Sequence, residues 1–112
     1  MEEKRRDARY GVDVDARVRN GMGAPRPVKV TNLSVSGCRF AALGNGIGVD
    51  AFVTITFGRL GFLDARVKWR AGEMHGIRFE QSLHPAVLDH IRYFLSQEAA
   101  FVEEVVPSPL TA

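Results

Sequence analysis

Hydrophobic and polar residues alternate along several short stretches of the chain, which is the pattern of β-strands with one buried face. The clearest stretch begins at Val12, where apolar residues at every second position alternate with Asp13, Asp15, Arg17 and Arg19. Five more apolar stretches of strand length cover residues 28–33, 37–42, 52–57, 63–70 and 76–80. The pattern therefore predicts six short strands.

Turn-forming residues separate the predicted strands. Residues 20–25 join the first two strands, residues 58–59 lie before the fifth, and residues 71–73 lie before the sixth, which favours hairpins. The glycine-rich stretch 44–48 is predicted to be a loop at a corner of the sheet.

After residue 80 the apolar period changes from two to about 3.6, which is typical of a helix. Ser82 is the expected cap, Pro85 suits the first turn, and Pro107 ends the pattern. The expected apolar face consists of Val87, Leu88, Ile91, Phe94, Leu95 and Val102. The sequence thus predicts one amphipathic helix over 81–106.

Strands followed by one helix predict a mainly β fold, a six-stranded antiparallel β-barrel with one C-terminal α-helix. Residues 1–10 are expected to form a flexible arginine-rich loop, 11–80 the barrel, 81–106 the helix and 107–112 a tail. The tail is either disordered, which is the favoured interpretation, or a docking segment. The length of 112 residues and the 46% hydrophobic content fit a single domain.

Several classes of protein are disfavoured by the composition. The single cysteine, Cys38, cannot form an internal disulfide or a zinc site alone, which favours a reducing compartment. The N-terminus lacks the apolar stretch of a signal peptide, and no run approaches the roughly 18 apolar residues of a membrane helix. We therefore expect a cytoplasmic protein without membrane insertion.

Charge is distributed unevenly along the chain. The formal net charge is +2, but twelve of the fifteen basic residues are arginine. Residues 1–80 carry fourteen basic and nine acidic side chains, whereas residues 81–112 carry one basic and four acidic. Since arginine pairs with phosphate and guanine edges, this excess indicates an anionic or nucleotide ligand; solvated surface charge is the alternative.

Catalytic and metal-binding chemistry is not favoured by the sequence. His75 is expected in a turn, His84 at the helix start and His90 within the helix, without cysteine or aspartate at ligand spacing. The glycines of 44–48 lack the lysine and hydroxyl residue of a phosphate loop. We expect no catalytic residue, no metal and no cofactor, and therefore not an enzyme.

Two polar segments are candidates for ligand binding. Residues 4–9 contain four cations in a stretch without strand or helix periodicity. Residues 32–37 place an amide, two hydroxyls and a glycine at a strand end, where they can hydrogen-bond a base and allow close approach to the backbone. Taken alone, the arginine run is better explained as a solvated tail and the Asn-x-Ser segment as an ordinary turn.

Together these segments resemble the two-part motif of the PilZ domain, a bacterial receptor for cyclic di-GMP. Arg5 and Arg9, with three residues between them, are followed after 22 further residues by Asn32, Ser34 and Gly37. The similarity to that family extends to residues 67–69 and 76–79 in the late strands and to the C-terminal helix. The chain resembles those members of the family that consist of a single PilZ domain.

The resemblance implies roles for the motif residues. Arg5 and Arg9 would bind phosphate and the guanine O6 and N7 atoms, and Asn32 would bind the other guanine edge. The family has Asp or Asn at this position, and Asn offers one acceptor oxygen instead of two, which predicts weaker binding. Ser34 would hydrogen-bond the ligand, and Gly37 would leave space for it.

Other residues are expected to add to the site. Arg6 would contact a phosphate, and Ser36 would support the turn. Lys4 occupies a position whose residue, in the family, influences whether one ligand or a stacked pair is bound. Trp69 either packs under the helix, which the strand pattern favours, or lies near the ligand, as in some relatives. Arg39 faces either the site or solvent.

The resemblance implies a cyclic di-GMP receptor that changes conformation and signals to an unidentified protein partner. Such signalling belongs to bacterial second-messenger control of motility, biofilm or exopolysaccharide. One alternative is a PilZ-like adaptor that binds proteins but not cyclic di-GMP. A less favoured alternative is a small basic barrel that binds single-stranded nucleic acid, because most aromatic residues occupy apolar strand positions.

Overall fold

A computed structural model describes residues 8–42, 44 and 46–96. Six strands are present, and they confirm the strands predicted from alternation. They are β1 (Tyr10–Asn20), β2 (Arg26–Leu33), β3 (Gly37–Ala41), β4 (Phe52–Phe57), β5 (Leu63–Ala71) and β6 (Met74–Phe79). β1 starts at Tyr10, so the strand already begins within the segment expected to be a loop.

The six strands form a closed antiparallel barrel in the order β1-β2-β3-β6-β5-β4. The hairpins β1–β2, β4–β5 and β5–β6 follow the predicted turns. The pairing of β3 with β6 and of β1 with β4 is long-range and completes the barrel. The predicted fold class is therefore confirmed.

The barrel interior is filled by the apolar residues of the alternating pattern. In β1 the residues Val12, Val14, Ala16 and Val18 all point inward and are at most 5% exposed. The largest fully buried apolar side chains from the other strands are Val30, Leu33, Phe40, Val53, Ile55, Phe57 and Val67. Burial of these side chains, at about 25 cal/mol per Å² of apolar surface, drives folding.

Helix α1 (Pro85–His90) follows the barrel and continues as a wider π-helical turn, Ile91–Leu95. The expected cap at Ser82 was wrong, because the Nδ1 atom of His84 accepts a hydrogen bond from the Ala86 amide. His84 has extended backbone angles, as an N-cap requires. Residues 81–84 are therefore not helical.

The helical segment ends at Leu95, since Ser96 is extended. The rest of the predicted helix and the expected tail, residues 97–112, lie outside the described residues. Leu88 and Ile91 are buried as predicted, but the assignment of Phe94 to the buried face was wrong. The π-helical turn changes the angular spacing of side chains, and Phe94 is 76% exposed.

The helical segment packs on the start of β1 and on the β4–β5 turn. The Asp13 amide donates a hydrogen bond of 3.0 Å to the Ser96 hydroxyl. Leu95 lies beside Gly58, where a Cβ atom would stand 3.4 Å from a leucine methyl. These contacts fix the helix at one end of the barrel. Within the described residues no helix is long and apolar enough to cross a membrane.

Two bulges reorient side chains on the outer face of the barrel. Val67 of β5 pairs with Ile77, but Trp69 pairs with Gly76, so Lys68 is an extra residue. A similar shift between β2 and β3 makes Thr31 an extra residue. Because a bulge changes which face the following residue occupies, it turns Trp69 from the predicted inner face outward.

Candidate functional site

A row of outward-facing residues crosses four neighbouring strands next to the bulges. Asn32 of β2 lies opposite Arg39 of β3, which lies opposite Gly76 of β6. Gly76 lies opposite Trp69 of β5. Since laterally paired residues face the same side of a sheet, this row spans three strand spacings, about 14 Å.

An open cavity of about 530 Å³ lies over this row. Its lining contains four cations, namely Arg9, Arg39, Lys68 and Arg78, and none of its described lining residues is acidic. The other lining residues are Asn32, Ser36, Gly37, Cys38, Trp69, Gly76 and Ile77. The cavity therefore suits an anionic ligand that also offers a planar apolar surface.

Arg9 and Asn32 join the two polar segments of the sequence at this cavity. The Nη1 atom of Arg9 donates a hydrogen bond of 3.0 Å to Oδ1 of Asn32. The contact is exposed, so a ligand can reach both side chains. Two residues that are 23 positions apart in the sequence thus form one surface.

Ser34 organises the turn between β2 and β3. Its hydroxyl accepts hydrogen bonds of 3.2 Å from the amides of Ser36 and Gly37. Its own amide donates to the Gly37 carbonyl at 2.9 Å. Ser34 is fully buried and does not line the cavity, so the expected direct contact with a ligand is replaced by a role in holding the turn.

Gly37 lets β3 and β6 approach each other. A Cβ atom at this position would collide with the backbone carbonyl oxygen of Ile77. The reason for glycine is therefore strand packing in addition to any space it leaves for a ligand. The adjacent Cys38 is buried, and burial raises the pKa of its thiol far above the usual value, which keeps it neutral.

Trp69 forms a flat wall of the cavity. Its indole lies over Gly76, where a Cβ atom would collide with the ring. The side chain is 44% exposed on the barrel surface, so the interpretation that it packs under the helix was wrong. An exposed indole held flat on a strand is a stacking surface for a purine base.

Arg39, Lys68 and Arg78 were not among the predicted site residues. Arg39 faces the site, and its Nε atom donates a hydrogen bond of 3.2 Å to Thr31 Oγ1. Each is a polar residue in the alternating pattern. The β2–β3 pairing places Arg39 opposite Asn32, whereas the pairing of β3 with β6 and the bulge in β5 bring Arg78 and Lys68 to the same cavity. The sequence alone does not show how these strands pair, so these residues could not be assigned to the site from it.

Comparison with known protein families gives a match to the model of the PilZ domain over residues 3–97. The chain belongs to the PilZ domain family. PilZ domains bind cyclic di-GMP, and they are binding and effector domains without catalytic activity. No curated protein matched the sequence.

The PilZ motif residues are brought together in part. Arg9, Asn32, Ser36, Gly37 and Trp69 line the cavity. Lys4, Arg5 and Arg6 lie outside the described residues, so their expected contacts stay predictions. Among the described residues, the site is therefore built by one arginine of the motif, the β2–β3 turn and the outer face of β3, β5 and β6.

His75 is a buried histidine that the sequence did not locate correctly. It lies in β6 and not in a turn, and its ring stacks on Phe40 with centroids 5.0 Å apart. Nε2 accepts a hydrogen bond from the Ile47 amide at 2.9 Å, which leaves Nδ1 to donate to the Glu73 carbonyl. Burial lowers the pKa of His75, and nearby arginines add to this.

The three histidines therefore make contacts within the fold. His84 caps α1, and His90 lies 5.2 Å from Phe94, ring to ring, on the helical segment. In the part of the chain that the structure describes, no three His, Cys, Asp or Glu side chains come together as a metal site.

Proposed function

We propose that this PilZ domain is a cyclic di-GMP receptor whose ligand lies on the cavity at Arg9 and Asn32. The observation that carries this proposal is the hydrogen bond between these two residues, because it joins the two halves of the PilZ motif at a cationic surface. Binding changes the conformation of the domain and signals to a protein partner in bacterial second-messenger control of motility, biofilm or exopolysaccharide. We place this signalling in the cytoplasm.

The chemistry of the cavity supports this ligand. Cyclic di-GMP carries two anionic phosphates and two guanines. The guanidinium groups of Arg9 and Arg39 are suited to bidentate contacts with phosphate or with guanine O6 and N7. The exposed face of Trp69 supplies a stacking surface, and the Asn32 amide offers one donor group and one acceptor to a guanine edge.

The remaining motif residues complete the proposal. Arg5 and Arg6 bind phosphate and guanine, and Lys4 adds positive charge. Ser34 acts through the turn that it holds, while the Ser36 side chain borders the ligand. Gly37 keeps β3 close to β6 beneath it.

Signal output is proposed to begin at β1. Arg9, which engages the ligand, is followed by Tyr10, whose ring lies 3.7 Å from the Arg92 guanidinium on the helical segment. That segment exposes Tyr93 and Phe94. A shift of Arg9 toward the ligand would therefore alter a surface on which a protein partner can read the bound state.

Calorimetric titration with cyclic di-GMP tests the proposal. The parent protein is expected to bind, and Arg9→Ala is expected to lose measurable binding without loss of thermal stability. Arg17→Ala is a matched control, since Arg17 is an exposed strand arginine of β1 outside the cavity. Arg5→Ala tests the proposed contact from the N-terminal segment.

Three results would contradict the proposal. No heat and no chemical-shift change in the parent protein would favour the adaptor alternative. Equal affinity for Arg9→Ala and the parent would reject the site. Single-stranded oligonucleotide that displaces cyclic di-GMP at a lower concentration would favour nucleic-acid binding.

A further inference from the structure

Two neighbouring rows of paired residues cross β3, β6 and β5. The first row, which we call the cavity row, lines the cavity and consists of Arg39, Gly76 and Trp69. The second row, which we call the inner row, consists of Phe40, His75 and Arg70. Each residue of the inner row is the chain neighbour of a residue of the cavity row, although none of the three lines the cavity. A displacement of the inner row therefore acts directly on the cavity row.

The inner row holds the segment 46–48, which lies between β3 and β4 in the sequence. The Ile47 amide donates a hydrogen bond of 2.9 Å to Nε2 of His75, and Ile47 is only 2% exposed. The Arg70 guanidinium lies against Gly46, where a Cβ atom would collide with that group. His75 and Arg70, which are paired in the ladder, thus hold two consecutive residues of the same segment.

His75 can hold this segment only in its neutral form. Because Nε2 accepts from the Ile47 amide, Nδ1 carries the proton and donates to the Glu73 carbonyl at 2.9 Å. Protonation of Nε2 changes this acceptor into a donor, so that two N–H groups face each other. The hydrogen bond between His75 and Ile47 is then lost.

The surroundings of the His75 ring disfavour a positive charge. The ring is fully buried and stacks on Phe40 of β3. The charged side chains that act on it are both cations, Arg70 of β5 and Arg26 of β2, while Glu73 faces it with its carbonyl oxygen. Burial is the largest cause that lowers the pKa of His75, and the two arginines add to it. A protonated ring is therefore favoured only when the segment 46–48 opens and water reaches the imidazole.

From these two rows we infer that His75 is a positioning residue for the cavity and makes ligand binding dependent on pH. Neutral His75 fixes the inner row by its stack on Phe40 and its hydrogen bond to Ile47. Protonation opens the segment 46–48, loosens the cavity row next to it and weakens binding of the anionic ligand. The inference rests on the proposed function for the identity of the ligand, but it concerns residues that do not line the cavity.

The direction of the pH effect distinguishes this coupling from the overall charge of the protein. Acid adds positive charge to the exposed His84 and His90, which by itself would strengthen binding of an anion. Competition between ligand binding and protonation of His75 has the opposite sign. The affinity is expected to fall by up to about tenfold per pH unit below the pKa of His75 in the ligand-free protein.

Calorimetric titration with cyclic di-GMP between pH 7.5 and 5 tests the inference, at each pH where circular dichroism shows a folded protein. The parent is expected to bind more weakly as the pH falls. His75→Gln offers an amide oxygen as an acceptor and does not titrate, so its affinity is expected to stay constant or to rise in acid. His90→Gln is the matched control, because it removes an exposed histidine of the helical segment and is expected to keep the pH dependence of the parent.

Arg70→Gln provides a second test that does not change a buried residue. Arg70 is exposed, and its charge lowers the pKa of His75. Without this charge the pKa of the imidazole is expected to rise, and the loss of affinity is expected to begin at a higher pH than in the parent. A rise in the imidazole pKa that leaves the pH profile of binding unchanged would overturn the inference.

NMR titration of the ligand-free parent separates this inference from the proposed function. The amides of Ile47 and Gly76 and the indole N–H of Trp69 are expected to shift with the same midpoint as the His75 imidazole. If they do and cyclic di-GMP binds at no pH, the coupling of His75 to the cavity is supported and the receptor proposal is rejected. An affinity that is constant or rises down to the lowest pH at which the protein stays folded would overturn the inference and leave the receptor proposal standing.

Discussion

The guanidinium of Arg92 lies 3.7 Å from the centroid of the Tyr10 ring, and it also lies 4.7 Å from the Tyr93 ring. Tyr10 is the first residue of β1 and follows Arg9 of the cavity. A side chain of the helical segment is therefore in contact with the residue next to the proposed ligand contact. This contact connects the residue after Arg9 directly to the helical segment.

Arg92→Ala is expected to weaken the docking of the helical segment. Cation–π contacts contribute about 0.5–2 kcal/mol, depending on how far the cation is desolvated, and the Arg92 side chain is 24% exposed. We expect the free energy of unfolding to fall by about 1 kcal/mol in urea denaturation. Arg59→Ala, which removes an exposed arginine of the β4–β5 turn, is expected to change it little. If both variants lowered the free energy of unfolding equally, the contact between Arg92 and Tyr10 would not be a specific source of stability.

Gly76→Ala is expected to displace the Trp69 indole, because the new Cβ atom would collide with the ring. The expected results are a change in the fluorescence of Trp69, the only tryptophan, and weaker binding of cyclic di-GMP. Gly48→Ala is the control, since no atom lies within 4 Å of the Cβ position there. Unchanged emission and affinity in Gly76→Ala would argue against a role for the indole plane.

Asn32→Asp is expected to strengthen binding of cyclic di-GMP. A carboxylate can accept hydrogen bonds from both N1–H and N2–H of guanine, whereas the amide has one acceptor oxygen. Hydrogen bonds to charged groups are the stronger kind, so we expect an affinity gain of about tenfold by calorimetry. Asn20→Asp at the end of β1, outside the cavity, controls for the added charge. Weaker binding by Asn32→Asp would show that the carboxylate is instead engaged by Arg9.

Protonation of His75 is expected to destabilise the barrel in mild acid. Burial lowers the pKa of His75 below its usual value of 6.5, and Nε2 must remain unprotonated to accept from Ile47. The unfolded chain then binds a proton near pH 6.5 that the folded chain does not. The free energy of unfolding should therefore fall as pH decreases below about 6.5, by at most about 1.4 kcal/mol per pH unit from this group.

The pH effect is measured by urea denaturation between pH 5 and 7.5, together with an NMR titration of the His75 imidazole. The variant His90→Gln is the control, because His90 is an exposed residue of the helical segment and should leave the His75 contribution intact. An imidazole of His75 that titrates at or above pH 6.5 in the folded protein would contradict this prediction.

The local sequence pattern was enough to predict the strands, because the alternation of apolar and polar residues shows directly which side chains point into the barrel. Val12 to Val18 and the hairpin turns are cases in which neighbouring residues determine the structure. Trp69 shows the limit of this reasoning. Its position in the alternation placed it inside, and one extra residue at Lys68 turned it outward. A bulge depends on the partner strand, so the sequence of β5 alone does not determine it.

The candidate site could be predicted only where the family motif covers it. Asn32 was named from the motif, whereas Arg78 required the pairing of β3 with β6, two strands separated by more than thirty residues. The exposure of Phe94 was missed for a related reason. Its burial was predicted from regular helical spacing, but the π-helical turn before Ser96 changes that spacing.

The pairing of β1 with β4 has a consequence for how another protein can recognise this domain. With the barrel closed, none of the six described strands has a free edge. A partner cannot join the sheet as an additional strand, which is a common way of binding an exposed edge. Recognition of the described barrel must instead use side chains and turns, so ligand binding can be read there through groups that are repositioned on its outer surface.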